Sequence, residues 1–177
     1  MTTIADKLQQ VQHRVAHACE RAGRDPASVL LLAVSKTFGP DAVLEAARAG
    51  QHAFGENYLQ EAVEKMAALR QMGAPTLQWH CIGPVQSNKT RLVAEHFDWM
   101  HTVDRLKVAQ RLSDQRPAHL PPLQVCIQIN VDGGANKSGV TPQEALALAQ
   151  SVAVLPQLCL RGLMSIPEPA TGFDAQY

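Results

Sequence analysis

Lys36 is the residue whose type and position first indicate chemistry in this sequence. It comes soon after an apolar stretch, residues 29–34, and shortly before a Gly-Pro pair. Such a pattern is typical of a buried strand that ends in a loop. Because strand side chains alternate, we expect Lys36 on the face of Leu30, Leu32 and Val34, where its ammonium group is partly desolvated. Desolvation leaves more free amine, and a free amine attacks carbonyl groups to form Schiff bases.

The alternative for Lys36 is a lysine that leaves its strand and points into solvent, as most lysines do. A second candidate site lies in residues 83–90, which have the pattern G-x-x-x-x-N-K-T, one residue away from a nucleotide-binding P-loop. Asn88 stands where that loop needs glycine, and Pro84 removes an amide donor. We therefore favour a helix-capping turn with Ser87 as its N-cap.

A metal site is not predicted. His13 and His17 are four residues apart on a predicted helix, a spacing that suits zinc. However, no Glu follows His13 as the zinc-protease signature requires, and no third ligand is evident.

Composition excludes several classes of protein. The chain has 177 residues, 46% of them hydrophobic and 18% charged, with 16 basic and 16 acidic residues, which suits one globular α/β domain. A chain without net charge gives no electrostatic support for binding nucleic acid or an anionic membrane. No apolar run approaches the ~20 residues that span a bilayer, and a signal peptide is lacking, so we expect a cytoplasmic protein. Its four cysteines form no Cys-x-x-Cys pair and are predicted to be small buried thiols in a reducing compartment.

Strand and helix patterns alternate six times after an N-terminal packing helix. We predict helices over residues 3–22, 41–49, 56–72, 87–96, 105–114 and from Thr141, and strands over residues 29–34, 52–55, 77–82, 99–103, 123–131 and 158–165, with a further helix starting near Phe173. This order indicates a parallel sheet with right-handed crossovers.

The polar face of the fifth predicted strand decides between two architectures, an open doubly wound sheet and a TIM-type (β/α) barrel. Gln124, Cys126, Gln128 and Asn130 share that face, and no G-x-G-x-x-G fingerprint follows the first strand, so we favour the barrel. A barrel has eight strands and typically about 250 residues, so the chain is expected to stop two units early.

Barrel ligands bind at the carboxyl ends of the strands. In this sequence that edge carries Lys36, Glu56, Asn57, Ile82, Gly83, Asp104, Asn130 and Ser165. Lys36 is the only amine located directly at a predicted strand end.

Four segments in the right order resemble the pyridoxal phosphate homeostasis protein family. They are residues 33–39 (A-V-S-K-T-F-G), 54–61 (F-G-E-N-Y-L-Q-E), 79–91 (W-H-C-I-G-P-V-Q-S-N-K-T-R) and 161–167 (R-G-L-M-S-I-P). The family consists of single-domain, fold-type III relatives of the alanine racemase barrel. The resemblance runs along essentially the whole chain.

The resemblance implies a set of cofactor-binding residues. Lys36 would carry pyridoxal 5'-phosphate as a Schiff base, Asn57 and Ile82 would lie near its ring, and Met164 and Ser165 would lie close by. Lys137 lies in a loop similar to one that brings a basic residue toward the ring hydroxyl in racemases, with a solvated loop lysine as the alternative. His80 is better explained as a core histidine.

The resemblance also implies a function in homeostasis of this vitamin B6 cofactor, by storing and handing it over, with apo forms of pyridoxal phosphate enzymes as partners. No catalytic residue is predicted. The alternative is an amino-acid racemase, but racemases need a second acid or base, usually a tyrosine from a separate β domain, and this chain has only Tyr58 and Tyr177.

Members of the family continue past Tyr177 with two further strands, a phosphate-binding loop and a late arginine. We therefore expect this sequence to be a truncated form that keeps the Schiff-base lysine without the phosphate-binding loop. Open sheet edges in such a form favour association. The complete protein is expected to be a monomer.

Overall fold

Strands and helices alternate along the chain as the sequence predicts. The structure, a computed structural model, describes residues 3–134, 137–169, 171–172 and 174. The α-helices are α1 (Ile4–Arg21), α2 (Pro40–Arg48), α3 (Leu59–Gln71), α4 (Thr90–His96), α5 (Leu106–Gln115) and α6 (Pro142–Ala153), and the strands are β1 (Ala33–Val34), β2 (Ala53–Glu56), β3 (Gln78–Cys81), β4 (Trp99–Val103), β5 (Leu123–Gln128) and β6 (Leu158–Met164). Short 3-10 helices cover Pro26–Ser28 and Ser87–Lys89.

The chain divides into two compact units. The first unit comprises Met1–Cys81 and His96–Asp98, and the second comprises Ile82–Glu95 and Trp99–Tyr177. In the first unit β1 pairs with β2 and β2 with β3, and in the second β4 pairs with β5 and β5 with β6, all in parallel.

The first unit has its core between the strands and the helices that follow them. Phe54 and Trp79 lie on adjacent strands with their ring centroids 5.8 Å apart. The fully or nearly fully buried apolar side chains of this unit come from α2, α3 and the strands, and include Val43, Ala53, Phe54, Ala62, Leu69 and Cys81. This burial of apolar area supplies the main stabilising contribution to the unit.

The second unit is organised by β5, of which five of the six residues are buried. β5 pairs in parallel with β4 on one edge and with β6 on the other, so both of its edges are covered by neighbouring strands. α6 begins at a capping box, in which the Thr141 hydroxyl accepts from the Glu144 N–H and the Glu144 carboxylate accepts from the Thr141 N–H. The Thr-Pro helix start predicted from the sequence is therefore confirmed.

The first strand is shorter than the sequence predicts. β1 contains only Ala33 and Val34, which pair with Phe54 and Gly55 of β2. The Leu31 carbonyl oxygen accepts instead from the Gln51 side-chain amide at 2.7 Å. Apolar composition alone predicted a strand over residues 29–34, and this prediction is wrong.

Other boundaries differ by a few residues. α3 starts at Leu59 rather than near residue 56, and β5 ends at Gln128 rather than at residue 131. The predicted cap at Ser87 is wrong: Gln86 is the N-cap of the 3-10 turn and makes no side-chain cap bond, and the Ser87 carbonyl oxygen accepts from the Thr90 hydroxyl. The helix predicted to start near Phe173 lies outside the described residues.

The cysteines and the hydropathy agree with the sequence analysis. All four cysteines are free, with Cys19, Cys81 and Cys126 buried and Cys159 half-buried. Among the residues that the structure describes, no helix is long and apolar enough to cross a bilayer.

Gly139 lies where the loop after β5 returns to that strand, and it has φ +117. The Gln128 carbonyl oxygen accepts from the Val140 N–H, and the Val140 carbonyl oxygen accepts from the Asn130 N–H, both at 2.9 Å. A Cβ atom on Gly139 would lie 2.7 Å from the Asn130 nitrogen and 2.8 Å from the Ile129 carbonyl carbon. The loop and the strand therefore approach each other so closely that only glycine, which has no Cβ atom, fits at position 139.

We expect Gly139→Ala to lower the free energy of unfolding by at least about 2 kcal/mol, because it adds a backbone clash to an unfavourable φ. Gly50→Ala is the matched control, since Gly50 has φ +95 but open space around its Cβ position, and it should cost only about 1 kcal/mol. Urea unfolding measures both. Equal losses would show that the close approach is not important for stability.

Candidate functional site

Lys36 lies just after β1 with its side chain exposed. Val34, on the same face, is 49% exposed, and Leu30 is 62% exposed, whereas Ser35 on the other face is buried. The predicted desolvation of Lys36 is therefore wrong, and residues 29–32, which were expected to continue its strand face, are not part of β1. The Lys36 amine is therefore accessible to a molecule in solution.

A buried ion pair lies on the opposite face from Lys36. The Lys65 ammonium is 2.7 Å from Glu56 Oε1 and donates to the Ser35 carbonyl oxygen at 2.9 Å. The Ser35 hydroxyl donates to the same Glu56 oxygen at 2.6 Å. Glu56 and Lys65 are only 0% and 4% exposed. Together with Glu61, whose Oε1 is 3.4 Å from the Lys65 ammonium, these residues form the Lys65 network (Ser35, Glu56, Glu61 and Lys65).

Thr37, the residue after Lys36, has a left-handed backbone. Its φ is +67, and no other non-glycine residue in the described part of the chain has a positive φ. For a β-branched residue this conformation is unfavourable by about 1–3 kcal/mol. The Thr37 N–H donates to Glu61 Oε1 at 3.3 Å, so the Lys65 network also holds this turn.

Asn57 comes directly after β2, as Lys36 comes shortly after β1. Val34 pairs with Gly55, and the Ser35 N–H donates to the Gly55 carbonyl oxygen at 3.0 Å, so Lys36 and Asn57 both follow the carboxyl ends of two paired parallel strands. Asn57 Oδ1 is buried and has no hydrogen-bond partner among the described residues. A buried acceptor without a donor is rare in proteins. The Lys36 amine can react with an aldehyde, and the Asn57 oxygen can accept a hydrogen bond from a ligand.

A cavity of about 170 Å³ lies beside the same segment of the first unit. Its lining consists of Ile4, Ala33, Val34, Ser35, Phe38, Ala42, Val43, Ala46 and Phe54. None of these side chains carries a charge, so this cavity does not provide a phosphate-binding group.

The other predicted site residues belong to the second unit. Ile82 and Met164 are half-buried, and Ser165 is exposed directly after β6. Gln128, which pairs with Met164 in the β5–β6 register, has a buried Oε1 without a partner among the described residues, and the same holds for Asn130 Oδ1. Both residues belong to the polar face that the sequence analysis predicted for the fifth strand, although Asn130 lies two residues beyond the end of β5.

Lys137 makes ion pairs with two carboxylates. Its ammonium donates to Asp132 Oδ2 and lies 3.6 Å from Glu168 Oε1. The hydrogen bond with Asp132 raises the pKa of Lys137 above its ordinary value, and it lowers the pKa of Asp132. Lys137 is thus held as a cation, which suits a hydrogen-bond donor rather than a nucleophile.

The competing candidates are explained by the fold. Thr90, at the end of the P-loop-like segment, is buried and its hydroxyl donates to the Gln115 side chain at 2.8 Å, so it is used in packing. His80 is buried in β3 with Nε2 3.0 Å from Gln78 Oε1, which confirms the prediction of a core histidine. No group of metal-ligating side chains that includes His13 and His17 is found in the described residues.

Comparison with known proteins decides the family. A family model for the N-terminal domain of alanine racemase matches residues 7–177. The pyridoxal phosphate homeostasis protein of Pseudomonas aeruginosa is 59% identical over 177 residues, which are 100% of this chain and 76% of that protein. The chain belongs to the pyridoxal phosphate homeostasis protein family. Membership confirms the α/β fold class of the alanine racemase (β/α) barrel predicted from the sequence.

Solved structures agree with membership of the pyridoxal phosphate homeostasis protein family. A crystal structure of an unknown protein from Bifidobacterium adolescentis has a TM-score of 0.86 and 32% identity, covering 96% of this chain and 71% of that one. PipY of Synechococcus elongatus, determined with pyridoxal phosphate bound, has a TM-score of 0.74 and 37% identity over 89% of this chain and 72% of its own.

Sequence analysis missed the Lys65 network in this family member. It placed Glu56 at the edge of the strands together with Asn57, although strand alternation puts these two residues on opposite faces. A signal was available, because a Glu that ends the strand A-F-G-E, at register with Ser35, indicates a buried carboxylate that needs a cation. Lys65 is nine residues away from Glu56 on another element, and only the packing of α3 against the strands brings it there.

We expect Lys65→Met to lower the free energy of unfolding by about 3–5 kcal/mol, because it leaves the buried Glu56 carboxylate without its cation. The double variant Glu56→Gln/Lys65→Met removes both charges and should lose much less stability. Arg91→Met, which breaks the exposed Arg91–Glu95 pair at 3.4 Å, should cost less than about 1 kcal/mol. Urea unfolding at neutral pH measures all three, and equal losses in the single and double Lys65 variants would contradict a buried ion pair.

Proposed function

We propose that this protein binds pyridoxal 5'-phosphate on Lys36 and holds the cofactor in reserve. The observation that carries the proposal is the 59% identity, over the whole chain, to a protein named for pyridoxal phosphate homeostasis. A relative at 37% identity whose structure has pyridoxal phosphate bound supports the same ligand. The exposed amine of Lys36 and the unused oxygen of Asn57 fit it chemically.

When bound, pyridoxal phosphate would supply an aldehyde, and Lys36 would hold it through its amine. Lys36 is exposed on the first unit, and Asn57, at the end of the neighbouring strand, would offer a hydrogen-bond acceptor. The residues behind Lys36 are already paired with one another, so the chain presents its amine without exposing the buried charges.

We propose Ile82, Lys137, Met164 and Ser165 of the second unit as further cofactor-binding residues. Their support is the family resemblance, together with the positive charge that Asp132 maintains on Lys137. We also propose that residues 1–177 act as one cofactor-binding domain, since a single family model matches residues 7–177 without interruption.

Storage rather than catalysis is the function we propose. A racemase needs a second acid or base beside the cofactor. Tyr58, the tyrosine that the structure describes, is the N-cap residue of α3 and is 55% exposed. Apo forms of pyridoxal phosphate enzymes are the proposed recipients, and the complete protein is proposed to be a monomer.

Borohydride reduction after incubation with pyridoxal phosphate, followed by peptide mass mapping, tests the binding site. We expect a stable adduct confined to Lys36 and its loss in Lys36→Ala, because reduction traps the carbon–nitrogen bond where it forms. Lys107→Ala is the control, since Lys107 is also an exposed lysine, and it should leave the labelling unchanged. Label spread over many lysines would contradict the proposed site.

Racemase activity is the second candidate function, favoured by the match to the alanine racemase N-terminal domain. We expect L-alanine to keep its optical rotation when incubated with this protein and pyridoxal phosphate at concentrations that give full labelling of Lys36. A loss of rotation that depends on Lys36 would replace storage by catalysis as the function.

A further inference from the structure

The Lys65 network contacts the backbone on both sides of Lys36. Before Lys36, the Lys65 ammonium binds the Ser35 carbonyl oxygen and Glu56 binds the Ser35 hydroxyl. After Lys36, Glu61 binds the Thr37 N–H. The backbone on either side of Lys36 is therefore held by residues that lie on the opposite face of the strand.

The buried charges of this network are costly to maintain. Taking a carboxylate and an ammonium out of water carries a desolvation penalty that their attraction only partly offsets, and apolar side chains of similar volume often give equal or greater stability. Glu56 Oε2 adds to the cost, because it is buried and lacks a hydrogen-bond partner among the described residues. Stability alone therefore does not explain why an ion pair lies at this point.

The unfavourable backbone of Thr37 supplies an independent observation. A left-handed β-branched residue persists only when the surrounding contacts hold it, and such residues cluster at ligand sites. The Phe38 N–H donates to the Ser35 carbonyl oxygen at 3.1 Å and closes the turn. The same oxygen also accepts a hydrogen bond from the Lys65 ammonium. The network and the turn are thus one hydrogen-bonded structure with Lys36 at its centre.

We propose that Glu56, Glu61 and Lys65 are positioning residues for Lys36: they hold residues 35–37 in the turn that contains the left-handed Thr37 and presents the Lys36 amine on the exposed face. This inference rests on the proposed function, in which Lys36 is the residue that bonds to pyridoxal phosphate. The positioning residues do not touch the ligand, because they lie on the opposite face of the strand. Their effect is to reduce the conformational freedom that the Lys36 segment loses on binding.

Two variants remove the contacts by different routes. Glu56→Gln/Lys65→Met replaces the buried pair with neutral side chains of similar size. Glu61→Ala removes the acceptor of the Thr37 N–H together with the longer of the two Lys65 ion pairs, at 3.4 Å, while the Lys65–Glu56 pair remains. The Glu61 side chain is 44% exposed, so the variant keeps the core intact. Glu64→Ala is the matched control, since Glu64 is an exposed residue of α3 that accepts a hydrogen bond from Gln60.

The first measurement is amide hydrogen exchange of residues 35–38 without cofactor. We expect exchange in this segment to rise about tenfold in both variants, which corresponds to the loss of one or two hydrogen bonds, while exchange in the control remains as in the wild type. Unchanged exchange in Glu61→Ala would overturn the inference even if the double variant failed to fold.

The second measurement is borohydride trapping with pyridoxal phosphate, scored as label on Lys36 relative to the exposed Lys89 and Lys107. We expect this ratio to fall about tenfold in both variants, whereas acetylation of Lys36 by acetic anhydride, which needs only an exposed amine, stays within about twofold of the wild type. Faster exchange of residues 35–38 with an unchanged labelling ratio would overturn the positioning role of Glu56, Glu61 and Lys65. An unlabelled Lys36 in the wild type would contradict the proposed function, and exchange would still decide whether the network holds the turn.

Discussion

The parallel pairing of β1 with β2 is the constraint on which the proposed site depends. The register pairs Ala33 with Phe54 and Val34 with Gly55. Directly after it, the Ser35 hydroxyl donates to the Glu56 carboxylate on the buried face, and the twofold alternation of side chains sends Lys36 to the opposite face. A one-residue shift would expose the Glu56 carboxylate and bury the Lys36 amine, because every side chain would change its face. The ion pair with Lys65 makes such a shift unfavourable, since Glu56 would then lose its cation.

The fold could be predicted wherever a local pattern is decisive. β4 has the predicted bounds, Trp99–Val103, and α6 begins at the predicted Thr-Pro pair, because a short apolar run and an N-cap are complete signals within a few residues. The first strand could not be predicted correctly, since its length depends on where β2 offers partners. Apolar residues 29–32 therefore looked like strand although they pair with no neighbouring strand.

The candidate site could be predicted only in part, because some of its features depend on contacts between residues far apart in the sequence. Lys36 and Asn57 follow from strand ends and from the resemblance, both of which are readable along the chain. The exposure of Lys36 and the Lys65 network depend on which face the helices cover. The desolvation predicted for Lys36 is wrong, because its side chain is exposed. The structure shows instead a turn whose residues on either side of Lys36, Ser35 and Thr37, are hydrogen-bonded to the Lys65 network.

Asp132 joins two segments that are far apart in the sequence. Its Oδ2 atom accepts both from the Lys137 ammonium and, at 3.0 Å, from the Glu168 N–H, so the loop after β5 and the segment after β6 share one acceptor. Because one carboxylate oxygen accepts from both segments, the loss of the Asp132 carboxylate would remove a hydrogen bond from Lys137 and from Glu168 at the same time. Asp132 thus couples two parts of the chain that no shared helix or strand connects.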